Sequence, residues 1–434
     1  MLAYYLELGF RSFRRARALT LLTLLSIAMG VAACMTTLTV YHVLAADPIP
    51  GKSARLFNVQ LDAEPKIDYT PGGEPALQLT RFDATHLLAD ARGVHQLMMT
   101  GSNAALDPAG SGSDLRPFLV RSRFTSADFF TMFETPWLHG SAWTAADDAA
   151  KARVAVIGRE LAEKLFGAKN PVGQSLRLRD RDYRIVGVLD DWRPAPQFFD
   201  LTAGAYGRAA EVYLPFETAM EAKLGSSGNM TCWAGSSDPR AVEAKCAWLQ
   251  YWVELDTPEQ QRAYRDYLVH YSEDQGRAGR FERPANPRLR KVMDWLAFRK
   301  VVPGDVQLQL WLAMGFLLVC LTNAVGLLLA KCLRRSGEIG VRRALGAPKR
   351  AIFMQFLVEA GSLGLAGGVL GLLLTLGGLW IVRHGASEYA ALASLDLPML
   401  ATTLGLALAA SLLAGLLPAW RACQVTPALQ LKTQ

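Results

Sequence analysis

This sequence has little of what a catalytic protein needs. Its 434 residues hold six histidines and six cysteines. The histidines are His42, His86, His95, His139, His270 and His384, and none falls in HExxH or another close metal-ligand spacing. No G-x-S-x-G elbow occurs. Pro50-Gly51-Lys52-Ser53 imitates the end of a phosphate-binding loop, but position 46 is Ala where that loop begins with Gly. The adjacent carboxylates Asp147-Asp148 and Asp190-Asp191 read as solvated turns. The reading is of a non-enzyme that binds neither metal nor cofactor itself.

Charge is also missing, in four long stretches. Ala18–Ala46, Val306–Ala330 and Leu397–Trp420 contain no Asp, Glu, Lys or Arg, and Ala351–Val382 contains only Glu359. Each exceeds the roughly 18 apolar residues that cross a bilayer as a helix, so four membrane helices are expected. At 1.5 Å per residue the first would span about 43 Å, more than the hydrocarbon core, and would project outward as a stalk. It is also about twice the length of a signal-peptide core, so it is expected to be retained although Val43-Leu44-Ala45 resembles a cleavage site.

What is there instead is a biased distribution of charge. The chain has 46 Lys and Arg against 39 Asp and Glu. Asp47–Asp305 alone is nearly balanced, with 32 against 34, so the excess marks membrane topology and no nucleic-acid partner is expected. Arg11, Arg14, Arg15 and Arg17 precede the first stretch, seven Lys and Arg lie in 331–350, and Arg421 and Lys432 follow the last. The positive-inside rule puts both termini (1–17 and 421–434) and the 331–350 loop in the cytoplasm, with 47–305 and the short turn 383–396 outside. Leu2, Leu6, Phe10 and Phe13 recur at helical spacing, suggesting an interfacial helix ahead of the first span.

The external segment interleaves strand-like and helix-like runs and reads as an α+β domain of two subdomains. Strands are expected at Arg55–Leu61, Val94–Gly101, Leu115–Phe124, Arg153–Ile157, Glu211–Pro215 and near Met230–Ala234. A hairpin is expected where Ser175–Arg179 and Tyr183–Leu189 flank Asp180-Arg181-Asp182. Helices are expected after Thr80 as far as Ala91, over Ala127–Phe133 capped by Ser126, over Arg159–Phe166 ending at Gly167, and near Arg240–Leu255 and Pro258–Tyr271. Cys232 and Cys246 are the only external cysteines; they make a candidate disulfide, or else two thiols on a strand and a helix that never meet.

One region carries the most specific pattern. Glu338-Ile339-Gly340-Val341-Arg342-Arg343-Ala344-Leu345-Gly346-Ala347 is followed by Ile352, Gln355-Phe356-Leu357 and Glu359-Ala360. The chain closes on Pro418-Ala419-Trp420-Arg421-Ala422 and Pro427-Ala428-Leu429. Outside the membrane stand Val154-Ala155-Val156-Ile157-Gly158, Leu165-Phe166-Gly167, Asn170-Pro171-Val172-Gly173 and Ile185-Val186-Gly187-Val188-Leu189. Together these resemble the MacB/FtsX-like ABC transporter permeases of mechanotransmitting type. The resemblance implies a bacterial inner-membrane protein with a MacB-like periplasmic core between its first and second helices. It implies ATP and Mg in a separate ATPase subunit (two copies), because fused members carry that domain ahead of a first span that only seventeen residues precede here. It also implies a second permease, identical or related. Export through an adaptor and an outer-membrane channel is the expected task; lipoprotein extraction of Lol type and FtsX-like regulation of a cell-wall hydrolase are the alternatives.

Several residues acquire candidate roles. Glu338 and Arg342 stand i, i+4, suited to a short coupling helix bounded by Gly337 and Gly346-Ala347-Pro348. Ile339, Ala344 and Leu345 are expected to dock on the ATPase, with Arg342 and Arg343 pairing to its acidic residues. Gly364, Gly367, Gly368 and Gly371 form two small-residue pairs suited either to the helix bundle or to a dimer interface. Asn323 is expected to make an interhelical hydrogen bond.

Overall fold

A computed structural model describes residues 17–67, 69–108, 115–385 and 397–424, with 422 and 423 described by backbone alone. The N-terminal interfacial pattern, Pro427-Ala428-Leu429 and most of the turn 383–396 lie outside these residues. The chain divides into two units, Ala46–Val301 and the segments on either side of it.

The first helix, α1 (Arg17–Ala45), precedes the unit Ala46–Val301 in sequence. There come β1 (Leu56–Gln60), β2 (Leu79–Thr80), α2 (Arg81–Asp90), β3 (His95–Asp107), β4 (Phe118–Thr125), α3 (Asp128–Met132), β5 (Trp137–Gly140) and α4 (Ala145–Ala149). They are followed by β6 (Val154–Gly158), α5 (Arg159–Phe166), β7 (Ser175–Leu178), β8 (Arg181–Leu189), β9 (Val212–Pro215) and α6 (Phe216–Glu221). Last are β10 (Thr231–Cys232), β11 (Cys246–Glu254), α7 (Pro258–Arg277), β12 (Arg288–Lys291) and α8 (Val292–Phe298).

Local chemistry sets several boundaries. The Thr80 hydroxyl accepts from the Asp83 amide at 3.1 Å and starts α2. Thr257 and Gln260 form a reciprocal capping box with Pro258 in the first turn of α7, which runs on to Arg277. At α3 the expected Ser126 side-chain cap is replaced: Ala127 is the capping residue, and its amide donates to the Asp148 carboxylate at 2.7 Å. The hairpin closes on Arg179-Asp180, one residue earlier than expected, because Leu178 pairs directly with Arg181 and Arg179 takes a left-handed φ of 54°.

The strands join in one network, ordered β12-β1-β11-β3-β4-β9-β6-β8-β5, with β2, β7 and β10 on its side branches. The helix expected near Arg240–Leu255 is wrong. That stretch ends in β11, whose nine residues are all buried between β1 and β3. A strand covered on both faces loses the alternation that would betray it, and its apolar run is then indistinguishable from a helix. The parts expected as two subdomains share this sheet, and alternation sends their side chains to two apolar clusters. Phe57, Met98, Ile157, Tyr251 and Val253 belong to one, and Leu56, Leu97, Val156, Tyr213 and Trp252 to the other. Cys232 and Cys246 are register partners on β10 and β11, 4.1 Å apart at Cα, and are joined as a disulfide.

Among the described residues, the other unit contains four helices long and apolar enough to cross a membrane. Besides α1 these are α9 (Gly304–Leu333), then, after the short α10 (Ser336–Ala344), α11 (Lys349–Arg383) and α12 (Leu397–Cys423). Pro303 and Pro348 stand at the starts of α9 and α11, where a missing amide hydrogen is harmless. Helices α9 and α11 extend a little beyond their apolar runs, taking in Asp305, Lys331, Lys349 and Arg383 at the ends.

Candidate functional site: the coupling helix and its base

Helix α10 is a single amphipathic piece between two membrane helices. Glu338 in its first turn pairs with Arg342 at 2.7 Å, and Arg342 also donates to the Gln355 side chain of α11 at 3.1 Å. Gly337 lies inside the first turn; termination falls instead to Gly346, whose φ of 92° is open to glycine and strained for other residues. Ile339, expected to face the ATPase, is 6% exposed and packs with Cys332, Ile352 and Phe356. It is therefore an anchor within this chain. Ala344 is exposed, and the large outward apolar groups are Val341, 57% exposed, and Leu345, 83% exposed.

Beneath α10 lies a charge cluster that charge counting had assigned only to topology or to a family pattern. Lys331 Nζ stands 2.6 Å from Glu359 Oε1, and both side chains are buried. Arg335, the residue that opens α10, reaches Glu359 Oε2 at 3.4 Å. Lys331 also donates to Thr20 Oγ1 of α1 at 3.3 Å. A clue lay in the sequence: Glu359 is the one charge in a 32-residue apolar run, and an intramembrane charge needs a partner. Which cation would meet it depended on how α9 and α11 are each set against α1 and α12 in the bundle.

The small residues of α11 are bundle contacts. A Cβ at Gly364 would collide with Ser411, and one at Gly368 would lie 2.9 Å from the Ala407 methyl, both on α12. At Gly367 it would meet Ile27 at 3.1 Å, and at Gly371 the Ala28 carbonyl at 3.2 Å, both on α1. The four glycines thus seat α11 against two neighbours at once. Asn323 donates to Ser26 Oγ at 3.2 Å, and Ser26 donates to the Cys320 carbonyl at 2.9 Å, tying α9 to α1.

The motifs that imitated chemistry have structural duties. Lys52 donates to Glu254 at 3.2 Å and to the Thr131 carbonyl at 3.1 Å. Asp147 completes the capping box of α4, and Asp190 pairs with Arg159 at 2.9 Å. Among the described residues no cluster of His, Cys, Asp or Glu could hold a metal ion.

The model of the MacB-like periplasmic core domain matches residues 20–271, more than half of the chain, and that of the FtsX-like permease C-terminal region matches 311–427. The chain belongs to the MacB/FtsX-like ABC transporter permeases. It is an inner-membrane protein of this family, with its periplasmic domain between the first and second membrane helices. Over 414 residues it is 26% identical to the macrolide export ATP-binding/permease protein MacB of Marinobacter nauticus, covering 94% of this chain and 57% of that protein. Over 312 residues it is 25% identical to the pyoverdine export ATP-binding/permease protein PvdT of Pseudomonas aeruginosa, covering 71% and 42%. The chain spans about half the length of these curated relatives. The crystal structure of the periplasmic region of MacB from Actinobacillus actinomycetemcomitans aligns with 56% of this chain and 92% of its own, at 12% identity and a TM-score of 0.36.

Proposed function

We propose that this permease transmits ATP-driven motion from the cytoplasm to its periplasmic domain, driving export. The ATP and Mg are bound by a separate ABC ATPase subunit, present in two copies, while this chain forms a dimer with an identical or related permease. Both termini and α10 lie in the cytoplasm, and a periplasmic adaptor and outer-membrane channel receive the cargo. Export is the task in the names of the MacB and PvdT relatives.

The observation that carries this reading is α10 itself. It is held to α9 and α11 by Ile339 and Arg342 while Val341 and Leu345 project outward. A surface fixed on one side and apolar on the other suits a partner that must push. At the opposite ends of the spans, Ile49, four residues after α1, and Val292, Trp295 and Leu296, shortly before α9, enter the same aromatic cluster. Trp295 Nε1 donates to the Phe198 carbonyl at 3.2 Å there. Displacement of either span would therefore be delivered to one packed core, which cannot deform continuously.

The test uses Val341→Glu with Leu345→Asp in the full chain, purified with the ATPase that accompanies it from native membranes. Both side chains are exposed, so insertion and melting should be unchanged. Losing two central apolar contacts should weaken ATPase association by about tenfold or more, and stimulated hydrolysis should fall with it. Unchanged association and hydrolysis would overturn the coupling role.

A further inference from the structure

We propose that Glu359 is the junction through which α10 moves the membrane bundle, acting as a positioning residue gripped by Lys331 and Arg335. The proposal rests on the coupling reading and adds the element that carries the motion inward.

Three observations support it. Burying ions in a bundle surrounded by hydrocarbon is expensive, and a buried ion pair can often be replaced by apolar residues without loss of stability, so stability alone does not account for this one. The cluster is also placed where the helices converge. Lys331 stands in the last turn of α9, Glu359 in α11, Thr20 brings in α1, and Gly415 and Pro418 of α12 border a narrow cleft beside the pair. Pro418 lies inside α12, where it breaks the local hydrogen-bond ladder, and its carbonyl faces the Cys332 thiol at 3.8 Å.

The third observation is the unequal grip on the carboxylate. Lys331 holds one oxygen at 2.6 Å, whereas Arg335 approaches the other at 3.4 Å. Arg335 is the residue that opens α10, so a shift of α10 shortens or breaks that second contact directly. Two cations from two elements sharing one carboxylate make a two-position arrangement: Glu359 keeps its contact with Lys331, or is drawn toward Arg335 as well.

The experiment measures hydrogen exchange of the α10 amides and stimulated ATP hydrolysis, for the full chain with its co-purified ATPase in lipid nanodiscs. Glu359→Gln should raise exchange across α10 by about tenfold or more and lower stimulated hydrolysis to a similar extent. Lys331→Met with Glu359→Met removes both charges and should melt no lower than the native chain, yet show the same two defects. Lys331→Glu with Glu359→Lys should recover part of both signals. An apolar double variant with native α10 exchange and native hydrolysis would overturn the junction. If Val341→Glu with Leu345→Asp uncouples while this double variant does not, the junction alone is refuted. If the Val341 and Leu345 changes leave hydrolysis intact, the coupling reading falls, and α10 exchange still decides whether Glu359 ties α10 to the bundle.

Discussion

Asp148 shows how the fold gives a residue a role that its neighbours in sequence conceal. Beside Asp147 it reads as half of a solvated turn. In the structure its carboxylate accepts from Trp143 Nε1 at 2.8 Å and from the Ala127 amide at 2.7 Å, at the start of α3. Burial pushes its pKa up to about 6; the two hydrogen bonds oppose this, and Asp128 and Asp147 add to it. The folded chain therefore binds the proton more tightly than the unfolded chain does. The resulting stability is fully present below the ordinary carboxylate pKa and is lost as pH rises through about 6. Asp148→Asn removes this titration. The melting temperature of the variant relative to the native full chain should be higher at pH 7 than at pH 4.5, measured in detergent. An equal difference at both pH values would show that Asp148 titrates normally.

At the scale of elements, α11 makes the sharpest prediction. Gly364→Leu would drive a side chain into Ser411, and overpacking of this kind costs about 1–3 kcal/mol. Its melting temperature should fall, and Gly364→Ala should be partly rescued by Ser411→Gly. Gly377 has open space around its Cα, so Gly377→Ala in the same helix should be neutral or slightly stabilising. Equal effects at the two glycines would mean that α11 does not pack on α12 as described. The small-residue spacing was plain in the sequence, but its two neighbours were not, because a stripe of glycines fits any close backbone. At β11 the reverse holds: the apolar run is plain in the sequence, and burial on both faces removes its period. Ile339 differs from its expectation for a related reason: a short amphipathic helix has one apolar face, and only the placement of Cys332, Ile352 and Phe356 beside it decides that this chain covers it.

At the scale of the whole molecule, the topology proposed from flanking charges has a direct check. Cysteines placed at Asp180 and Gly276, both exposed, should react with a membrane-impermeant reagent from outside the inner membrane. One at Leu345 should react only after permeabilisation. Labelling of Leu345 from outside would reverse the arrangement and with it the coupling role.

What the sequence determined by itself is what can be decided within one segment. Hydrocarbon excludes charge, so three long charge-free runs and a fourth with the single charge Glu359 announce four spans wherever they end up. Thr80 with Asp83, the i, i+4 pair Glu338 and Arg342, and Gly167 and Gly346 act within a turn or two, so their helices were legible too. Tertiary structure alone decided every outcome that required two distant segments to meet. It set the register that joins Cys232 to Cys246 and the burial of β11 on both faces. It also decided the partners of the α11 glycines and the meeting of Lys331, Arg335 and Glu359. Those contacts depend on which faces of distant segments pack together, and hydrophobic periodicity within one segment carries no record of that choice.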